Sequence, residues 1–598
     1  MLNFEDDINQ EQLDAINEPN SVFLVACPGS GKTRTLTYKI AKELELHTQR
    51  NKWVVAITYT HSAADEIKER IEDLGVDTKR LWIGTIHAFC MEWIIRPYAG
   101  YHEDLKYGYQ IINSHDSEEI LTEFCRNYNY PSVTYYDCSY HFIPTGIQLS
   151  CTANKHVNVG HIIQDYHIRL KENFQIDFEQ ILFFSYQLVT QHPSISKTLS
   201  KLFTHILVDE YQDTKEIQYR IISLILRAGN DHVKAFIVGD PNQAIYTSLG
   251  GYAITIAELR SLTDITIVEK MLTRNYRSSS RVIEFFSHYR VFDSPIIAVG
   301  DNQHFPSEVY YTQSTELADL AVTIGNYVKY FHSECGISTN EICIVAPWWV
   351  HLASMTRTLT TLFPEYKFNG PGLTPFSRDI DNFWYKVAKL ILTDPSPQLY
   401  VRRSRWANEI IDDLHSCNIS TDLSSRHMLK TINLIKKTLI EKDGLNYLRL
   451  FFDVLFTSFK INYSLNLMLN EHHNAFFASS MTRIGKITAE NASYDGSIET
   501  FKKVFSPKTG ITVSTIHGVK GTEFDAVIGY GLLDGFVPHF SEPSTDSAKK
   551  LIYVLSSRAK KHLCLISELS RIDKYTKKSR PSTLVLKSHK FNYNKGNI

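Results

Sequence analysis

Residues 22–33 read as a strand, a tight turn and the start of a helix. This stretch constrains the fold more than any other in the sequence. Residues 22–26 read Val-Phe-Leu-Val-Ala, and Cys-Pro-Gly-Ser-Gly then leads into Lys32 and Thr33. Glycines let backbone N–H groups turn inward around a phosphate, and a helix N-terminus adds partial positive charge. A lysine at this place can reach the β- and γ-phosphates, and a threonine can hold Mg²⁺. The stretch therefore predicts a nucleoside triphosphate site; the alternative is a structural strand-to-helix turn with an incidental lysine.

Two adjacent carboxylates follow a later apolar strand. His-Ile-Leu-Val at 205–208 leads into Asp209 and Glu210. In P-loop NTPases one such carboxylate can hold Mg²⁺ and the other can polarise the attacking water. A further apolar run at 235–238 leads into Gly-Asp-Pro-Asn-Gln, which places Gln243 where it could sense the γ-phosphate. Each piece alone is typical of a strand followed by a polar turn, but at ordered intervals after the phosphate loop they indicate one nucleotide site.

Aromatic and histidine residues end two other predicted strands. The run 54–59 finishes at Tyr59, and Thr60 is placed to cap a helix that begins near His61. His87 follows a second short strand. Because ligands bind at the carboxyl edge of open parallel sheets, these side chains are expected at a binding edge.

Two arginines are candidates for phosphate contact. Arg277 lies in Leu-Thr-Arg-Asn-Tyr-Arg, and its planar fork suits phosphate oxygens. Arg558 lies at the end of a predicted helix, before a short strand expected at 563–566. An arginine from a second domain that faces the nucleotide of the first acts as an arginine finger. Either arginine, taken alone, would also fit a solvated surface.

Bulk properties limit the class of protein. A chain of 598 residues is long enough for several domains, and its net charge of −2 predicts local rather than general contact with nucleic acid. The nine cysteines form no CxxC pair, which indicates reduced thiols in a cytoplasmic protein. Cys138, His141 and Cys151 match no standard zinc spacing. No apolar run approaches about 18 residues, so no membrane partner is expected.

In chain order these pieces resemble the UvrD/Rep-like superfamily 1A DNA helicases. The matching stretches read INQEQLDAI, ACPGSGKT, TYTHSAADEIKERI, GTIHAFC, VDEYQDT, VGDPNQAIY, LTRNYRS, STIHGVKGTEF and YVLSSRA. The resemblance implies an α/β fold with two RecA-like parallel-sheet domains (1A, 2A), each with a mainly helical inserted subdomain (1B, 2B). It also implies ATP hydrolysis with Mg²⁺ and movement 3′ to 5′ along single-stranded or tailed DNA.

The same resemblance assigns roles to residues. The implied catalytic residues are Lys32, Asp209, Glu210, Gln243, Arg277 and Arg558. The implied ATP-binding residues are Gln12, Ala26, Cys27, Pro28, Gly29, Ser30, Gly31, Lys32, Thr33, Arg34, Tyr276, Arg277, Glu523 and Arg558, with Gln12 as adenine reader, Tyr276 and Arg34 around the adenine, and Glu523 near the ribose. The implied Mg²⁺ ligands are Thr33 and Asp209. The implied DNA path contains Thr58, Tyr59, His61, His87, Tyr246, Thr515 and His517.

Domain boundaries follow from the changes in pattern. Domain 1A is predicted at 1–100 and 175–285, subdomain 1B at 101–174, domain 2A at 286–376 and 506–598, and a reduced subdomain 2B at 377–505. Aromatic residues in the second insertion, such as those at 447–456, are expected in a core rather than on a base-stacking platform.

The departures from the family pattern concern the DNA path. Where the family has an aromatic residue, arginine and glycine, this chain has Ser248, Leu249 and Gly250; His61 and Ser62 replace Asn-Lys. Loss of a stacking ring predicts an ATPase that unwinds poorly alone, since stacking is worth about 1–3 kcal/mol per base. A narrower resemblance, to the helicase-like subunit of Gabija-type anti-phage systems, implies a separate nuclease partner. The alternatives are a general repair helicase and a DNA-stimulated sensor or regulatory subunit.

Overall fold

The computed structural model of the chain describes residues 7–46, 51–371, 375–376, 379, 382–489, 495–506, 509–539, 544–573 and 576–595. They divide into two compact units. Unit 1 consists of Met1–Tyr109, Phe124–Trp348 and Ser514–Ile598, and unit 2 of Gln110–Glu123 and Trp349–Val513. Within the described residues, no helix combines the length and apolar character that a membrane crossing requires.

The first sheet of unit 1 has six parallel strands. They are β1 (Ser21–Ala26), β2 (Trp53–Thr58), β3 (Leu81–Thr85), β4 (Phe203–Val208), β5 (Lys234–Gly239) and β6 (Ile267–Leu272). Their order across the sheet is β6-β1-β5-β4-β2-β3. Nearly every residue of β1 is buried, as the continuous apolar run predicted for a sheet covered on both faces.

Three helices position the phosphate loop and the neighbouring strand ends. They are α1 (Gln10–Asn17), α2 (Lys32–Glu45) and α3 (His61–Asp73). Leu36, Ile40 and Ala41 of α2 pack into the core beneath the sheet. Thr60 caps α3 as predicted, because its side chain accepts a hydrogen bond from the Ala63 N–H.

The second sheet contributes four parallel strands to unit 1. They are β7 (Val309–Thr312), β8 (Ile342–Ala346), β9 (Phe524–Gly529) and β10 (Ala559–Ile566), in the order β7-β10-β9-β8. The predicted parallel-sheet α/β fold with two sheets is thus confirmed.

Further helices cover the sheets and form the inserted segments. Outside 349–513 these are Ile86–Phe89, Arg96–Tyr98, Ser114–Cys125, His156–Glu172, Phe178–Gln191, Pro193–Leu202, Glu216–Gly229, Ile256–Thr263, Ser280–Ser287, Leu320–Lys329, Thr545–Ser556 and Leu584–Lys587, with π-helical turns at Cys90–Ile95 and Tyr330–Glu334. Short strands lie at Gln110–Ile111, Tyr140–Ile143, Gly146–Leu149, Gln175–Ile176, Arg274–Asn275 and Ile297–Ala298. The first insertion therefore contains a hairpin as well as helices.

Unit 2 is mainly helical. Its long segment holds the helices Trp349–Leu362, Phe383–Leu392, Tyr400–Ser416, Ser425–Thr438, Gly444–Ser458, Leu467–Ala489 and Ile498–Lys502, and Phe368–Asn369 pairs in parallel with the start of Ile511–Thr515. Trp384, Phe452 and Phe456 are buried in its core. The prediction that the aromatic residues of 447–456 are core residues is confirmed. The predicted start of the second insertion at 377 lies outside the described residues.

One predicted boundary is wrong. Strand β10 begins at Ala559, four residues before the predicted start, so Arg558 lies in the short link between helix Thr545–Ser556 and β10 rather than on the helix. The sequence did not indicate this start because Lys560 and Lys561 are polar residues that suggest a turn. Both lysines instead pair with Asp525, at 2.9 and 2.8 Å, which lets them lie in a strand.

Candidate functional site

The phosphate loop has the backbone geometry that its glycines allow. Gly29 and Gly31 have φ angles of 66° and 82°, in the left-handed region that other residues rarely adopt. Gly31 directly precedes α2, so the loop opens at a helix N-terminus. A loop of this form can direct backbone N–H groups at a phosphate.

A buried asparagine holds the loop in place. The Asn275 side chain is fully buried, and its Nδ2 donates to the Pro28 carbonyl at 2.7 Å. Its Oδ1 accepts from the backbone N–H groups of Arg277 and Ser278, at 2.9 and 2.8 Å. The loop and the segment that carries Arg277 are therefore joined through one side chain.

Two carboxylates lie at the end of β4. Burial, together with the charge of Glu210, raises the pKa of Asp209 well above that of an ordinary aspartate. Burial acts on Glu210 in the same direction but is outweighed, chiefly by the charges of Lys32 and Lys520, which lower its pKa below that of an ordinary glutamate. Glu210 is therefore ionised near neutral pH, as a group that polarises water must be. Its carboxylate also accepts a hydrogen bond from Gln212.

The donor set near Asp209 suits Mg²⁺. A hydroxyl from Thr33 and a carboxylate from Asp209 are oxygen ligands of the kind this ion prefers. Asp209 is buried, and its raised pKa shows that the surrounding positive charge does not fully compensate its carboxylate. A bound cation would offset that cost.

Arg558 joins the second sheet to the first. Arg558 is 2% exposed, and its Nη2 donates to the Gln243 Oε1 at 3.0 Å. Gln243 in turn donates to the Asp240 Oδ2 at 2.8 Å. Burial and the nearby charge of Arg277 lower the pKa of Arg558 to about 9. Since Gln243 follows β5 and Arg558 precedes β10, the two sheets meet at this contact.

Arg277 lies against the phosphate loop and also reaches the second sheet. Its Nε donates to the Glu523 carboxylate at 2.5 Å, and its Nη1 donates to the Ser557 carbonyl at 2.9 Å. A Cβ added to Gly29 would come within 2.6 Å of the Arg277 Cβ, so the loop and this arginine are in close contact.

The residues predicted around adenine lie beside α1. Gln12 is buried, and its Nε2 donates to the Ser30 carbonyl at 3.0 Å while its Oε1 accepts from the Asn9 N–H. The Tyr276 hydroxyl accepts from Asn9 at 2.7 Å. Arg34 donates to the Asp7 carbonyl. These contacts bring Gln12, Tyr276 and Arg34 to one side of the loop.

Lys520 is a central residue for which no role was predicted. Its Nζ donates to the Asp213 carboxylate at 2.5 Å and to the Gln243 carbonyl at 2.9 Å. It also lies 5.4 Å from the centre of the Tyr246 ring. The available signal was its position in the stretch STIHGVKGTEF, in which roles were predicted only for Thr515, His517 and Glu523.

Three aromatic residues from separate stretches form a row. The Tyr59 and Tyr246 rings are 5.2 Å apart, and the Tyr246 and His517 rings are 5.3 Å apart. The Tyr246 hydroxyl donates to the His517 carbonyl at 3.3 Å. Tyr59 is 47% exposed, so the row begins at the surface. Rings in this arrangement can stack on bases.

The other predicted DNA contacts differ in accessibility. The Thr58 hydroxyl is buried and donates to the Thr60 carbonyl, and Thr515 accepts from the Gly518 N–H at 2.9 Å. Burial lowers the pKa of His87 to about 4, and its Nε2 has no hydrogen-bond partner within the described part of the chain. His61 begins α3 and is exposed.

Two family models match this chain. Residues 8–262 match the UvrD/REP helicase N-terminal domain, and residues 463–570 match the UvrD-like helicase C-terminal domain. The chain belongs to the UvrD-like helicases. In this UvrD-like helicase, Gln243 lies in the first matched range and Arg558 in the second, so their contact joins the two matched domains.

Curated relatives of this UvrD-like helicase are also DNA helicases by name. A probable DNA helicase II homolog from Mycoplasma capricolum is 24% identical over 94% of this chain and 84% of its own length. DNA helicase II from Escherichia coli is 30% identical over 46% of this chain and 39% of its own length. The ATP-dependent DNA helicase PcrA from Staphylococcus epidermidis is 28% identical over 56% of this chain and 47% of its own length. The last two matches span less than half of those relatives.

Proposed function

We propose that this UvrD-like helicase is an ATP-dependent DNA helicase that moves 3′ to 5′ along single-stranded DNA. The contact between Arg558 and Gln243 supports this most directly. It brings an arginine of the second sheet to the edge of the first sheet where the phosphate loop and the two carboxylates lie. The relatives named above, each called a DNA helicase, support the same activity.

The nucleotide site would use groups from both sheets. Lys32 and the loop N–H groups would bind the phosphates, with Thr33 and Asp209 as ligands of Mg²⁺. When bound, Mg²⁺ would neutralise phosphate charge. Glu210, ionised by its lysine neighbours, would orient and polarise the attacking water. Gln12, Tyr276 and Arg34 would surround the adenine, and Glu523 would lie near the ribose.

The two arginines would couple ATP to domain movement. Arg277 is paired with Glu523, and Arg558 with the Gln243 amide oxygen. A γ-phosphate is a stronger acceptor than an amide oxygen. Binding of ATP would therefore draw both guanidinium groups onto phosphate oxygens, and hydrolysis would release them.

Single-stranded DNA would follow the aromatic row. Tyr59, Tyr246 and His517 would stack on bases, while Lys520, within reach of Tyr246 and Asp213, would connect the row to the nucleotide site. Domain movement would then displace the strand along this row.

The decisive experiment measures ATP turnover and movement separately. ATP hydrolysis by the purified chain is measured without DNA, with single-stranded DNA and with blunt duplex; single-stranded DNA is expected to stimulate it. Streptavidin displacement from 3′- or 5′-biotinylated single strands then gives direction, and faster displacement from the 5′ end is expected. Lys32→Ala should abolish both readouts, whereas Lys79→Ala, at a side chain that is 86% exposed, should change neither. Stimulation without displacement from either end would instead favour the sensor alternative.

The pathway is a separate proposal. Because the relatives quoted above are named as DNA helicases, and two of them as DNA helicase II or its homolog, we favour DNA repair. The Gabija-type role and its separate nuclease stay predictions from the sequence resemblance. Co-purification of a nuclease from the native source would support them.

A further inference from the structure

Three potential metal ligands from distant parts of the chain meet at the edge of the second sheet. Glu308 directly precedes β7, His562 lies in β10, and Cys335 follows the turn Tyr330–Glu334. Their ligand atoms all lie within 4.8 Å of one another. A second group among the described residues, His115, Asp116 and Glu119, lies along one helix of the other unit and offers no comparable convergence.

Backbone pairing between strands β7 and β10 fixes the positions of two of the three ligands, Glu308 and His562. Val309 and Leu563 are paired in the parallel ladder, and the Leu563 N–H donates to the Glu308 carbonyl at 3.0 Å. The His562 Nδ1 is 3.5 Å from the Glu308 Oε2. Two ligands of a tetrahedral zinc ion, with bonds of about 2.0–2.3 Å, lie about 3.3–3.8 Å apart. The imidazole and the carboxylate therefore already have the separation that a shared ion requires, and the thiol needs only a small shift.

The His562 imidazole is unprotonated at Nδ1, as a metal-ligating nitrogen must be. This nitrogen accepts a long hydrogen bond of 3.3 Å from the Glu308 backbone N–H. The Glu308 carboxylate, which is also an acceptor, lies 3.5 Å from the same nitrogen. A cation bound here would take over the Nδ1 lone pair from the backbone N–H and would stabilise both acceptors. The other ring nitrogen, Nε2, is buried and has no hydrogen-bond partner within the described part of the chain.

The surroundings support ligation. His562 is held between the Phe305 and Phe331 rings, each 5.4 Å away. The Tyr330 hydroxyl is 3.1 Å from both Glu308 carboxylate oxygens and can donate to either of them. Such outer contacts orient metal ligands. Glu308 and Cys335 are half-buried, so an ion can enter from solvent.

We propose that Glu308, Cys335 and His562 bind one Zn²⁺ ion, with water as the fourth ligand and Tyr330 donating to Glu308. A thiolate and an imidazole favour zinc over Mg²⁺ or Ca²⁺. Burial and the charge of Glu308 raise the pKa of the Cys335 thiol, and a bound cation would reverse this and make the thiolate available. The ion would fasten the turn after residue 330 to strands β7 and β10, far from the phosphate loop in sequence and separate from the residues assigned to ATP.

The test uses the full chain, freed of metal by a chelator and titrated with Co²⁺ in the presence of Mg²⁺. One equivalent should give the thiolate-to-cobalt charge-transfer band and the visible spectrum of a tetrahedral ion, and Zn²⁺ should remove both. Cys335→Ser should lose the charge-transfer band, and Glu308→Gln should weaken zinc binding by at least about tenfold. Cys151→Ser, at another half-buried cysteine, is the matched control and should bind as the native chain does.

Thermal unfolding gives a second readout that separates binding from misfolding. Zn²⁺ should raise the Tm of the native chain and of Cys151→Ser but leave that of Cys335→Ser unchanged. Absence of a charge-transfer band in the native chain would overturn the proposal. A charge-transfer band of equal strength in Cys335→Ser would also overturn it. So would a Glu308→Gln variant that binds zinc with an affinity less than tenfold below that of the native chain.

Discussion

The guanidinium of Arg558 donates to the side-chain amide oxygen of Gln243 at 3.0 Å, across the boundary between the two parallel sheets. Both side chains are buried, and the same arginine lies close enough to Glu210 to lower the pKa of that carboxyl. One contact thus connects the carboxylate proposed to be catalytic, the residue proposed to sense the γ-phosphate and the second sheet.

Arg558→Ala is expected to reduce ATP turnover by about 10³-fold or more, because it would remove the proposed arginine finger. ATP affinity, measured by fluorescent-nucleotide titration, should change little, since Lys32 and the loop still bind the phosphates. Arg126→Ala, at an exposed arginine, is the control. Equal losses of binding and turnover would contradict the finger role.

Lys520→Met is expected to destabilise unit 1 by about 3–5 kcal/mol, because it leaves Asp213 buried with an unpaired charge. The side chains are 8% and 1% exposed, so solvent screens the pair little. The free energy of unfolding is measured by urea titration. Lys520→Met combined with Asp213→Asn should cost less than the two single changes together; strict additivity would show that the pair does not interact.

Mg²⁺ binding is expected to depend on pH through Asp209. Burial and the charge of Glu210 raise its pKa above that of an ordinary aspartate, so in the acidic range the carboxyl holds a proton that the ion must displace. The Mg²⁺ concentration that gives half-maximal turnover should therefore fall as pH rises through this raised pKa and level off once the carboxyl is ionised. Asp77→Asn should leave the profile as it is in the native chain. A flat profile would mean that Asp209 is ionised throughout.

Tyr59→Ala and Tyr246→Ala are each expected to weaken single-stranded DNA binding by about 1–3 kcal/mol, through lost stacking. Fluorescence anisotropy at one fixed salt concentration measures the effect. Tyr136→Ala, at a tyrosine that is 83% exposed in the first insertion, should bind normally. If both test variants bind single-stranded DNA with native affinity, the aromatic row is not part of the DNA path.

Unaided unwinding of a 3′-tailed duplex is expected to be slow, because the family's stacking aromatic residue is replaced by Ser248. Ser248→Trp should increase the unwinding rate per ATP hydrolysed. A gel assay of strand separation measures this rate, with Ser194→Trp, at an exposed serine outside the predicted DNA path, as the control for an added ring elsewhere. Fast unwinding by the native chain would refute the idea that its DNA path is weakened.

Local patterns predicted local structure well. The glycine turn of the phosphate loop, the Thr60 cap and the apolar pattern of 447–456 are each encoded within a few residues, so the sequence predicts them locally. The start of β10 was missed because the partner that makes Lys560 and Lys561 acceptable in a strand, Asp525, lies in another strand.

Contacts between distant segments could not be predicted from patterns. Lys520 and Asp213 pair across the two sheets; both lie in stretches quoted for the family resemblance, but nothing in either stretch indicates that the two side chains meet. The cluster of Glu308, Cys335 and His562 likewise has no motif, because the topology of the second sheet rather than spacing brings the three together.

The Asn275 amide has a mechanical consequence. A single planar group donates to the Pro28 carbonyl and accepts from the N–H groups of Arg277 and Ser278, and the Ser278 hydroxyl donates to the Ala559 carbonyl. A displacement of the phosphate loop is therefore transmitted through Asn275 and Ser278 to Ala559, the first residue of strand β10. A carboxylate in place of that amide would keep the side-chain shape but place a carboxylate oxygen against the Pro28 carbonyl oxygen. The repulsion between them would break the connection between the phosphate loop and strand β10.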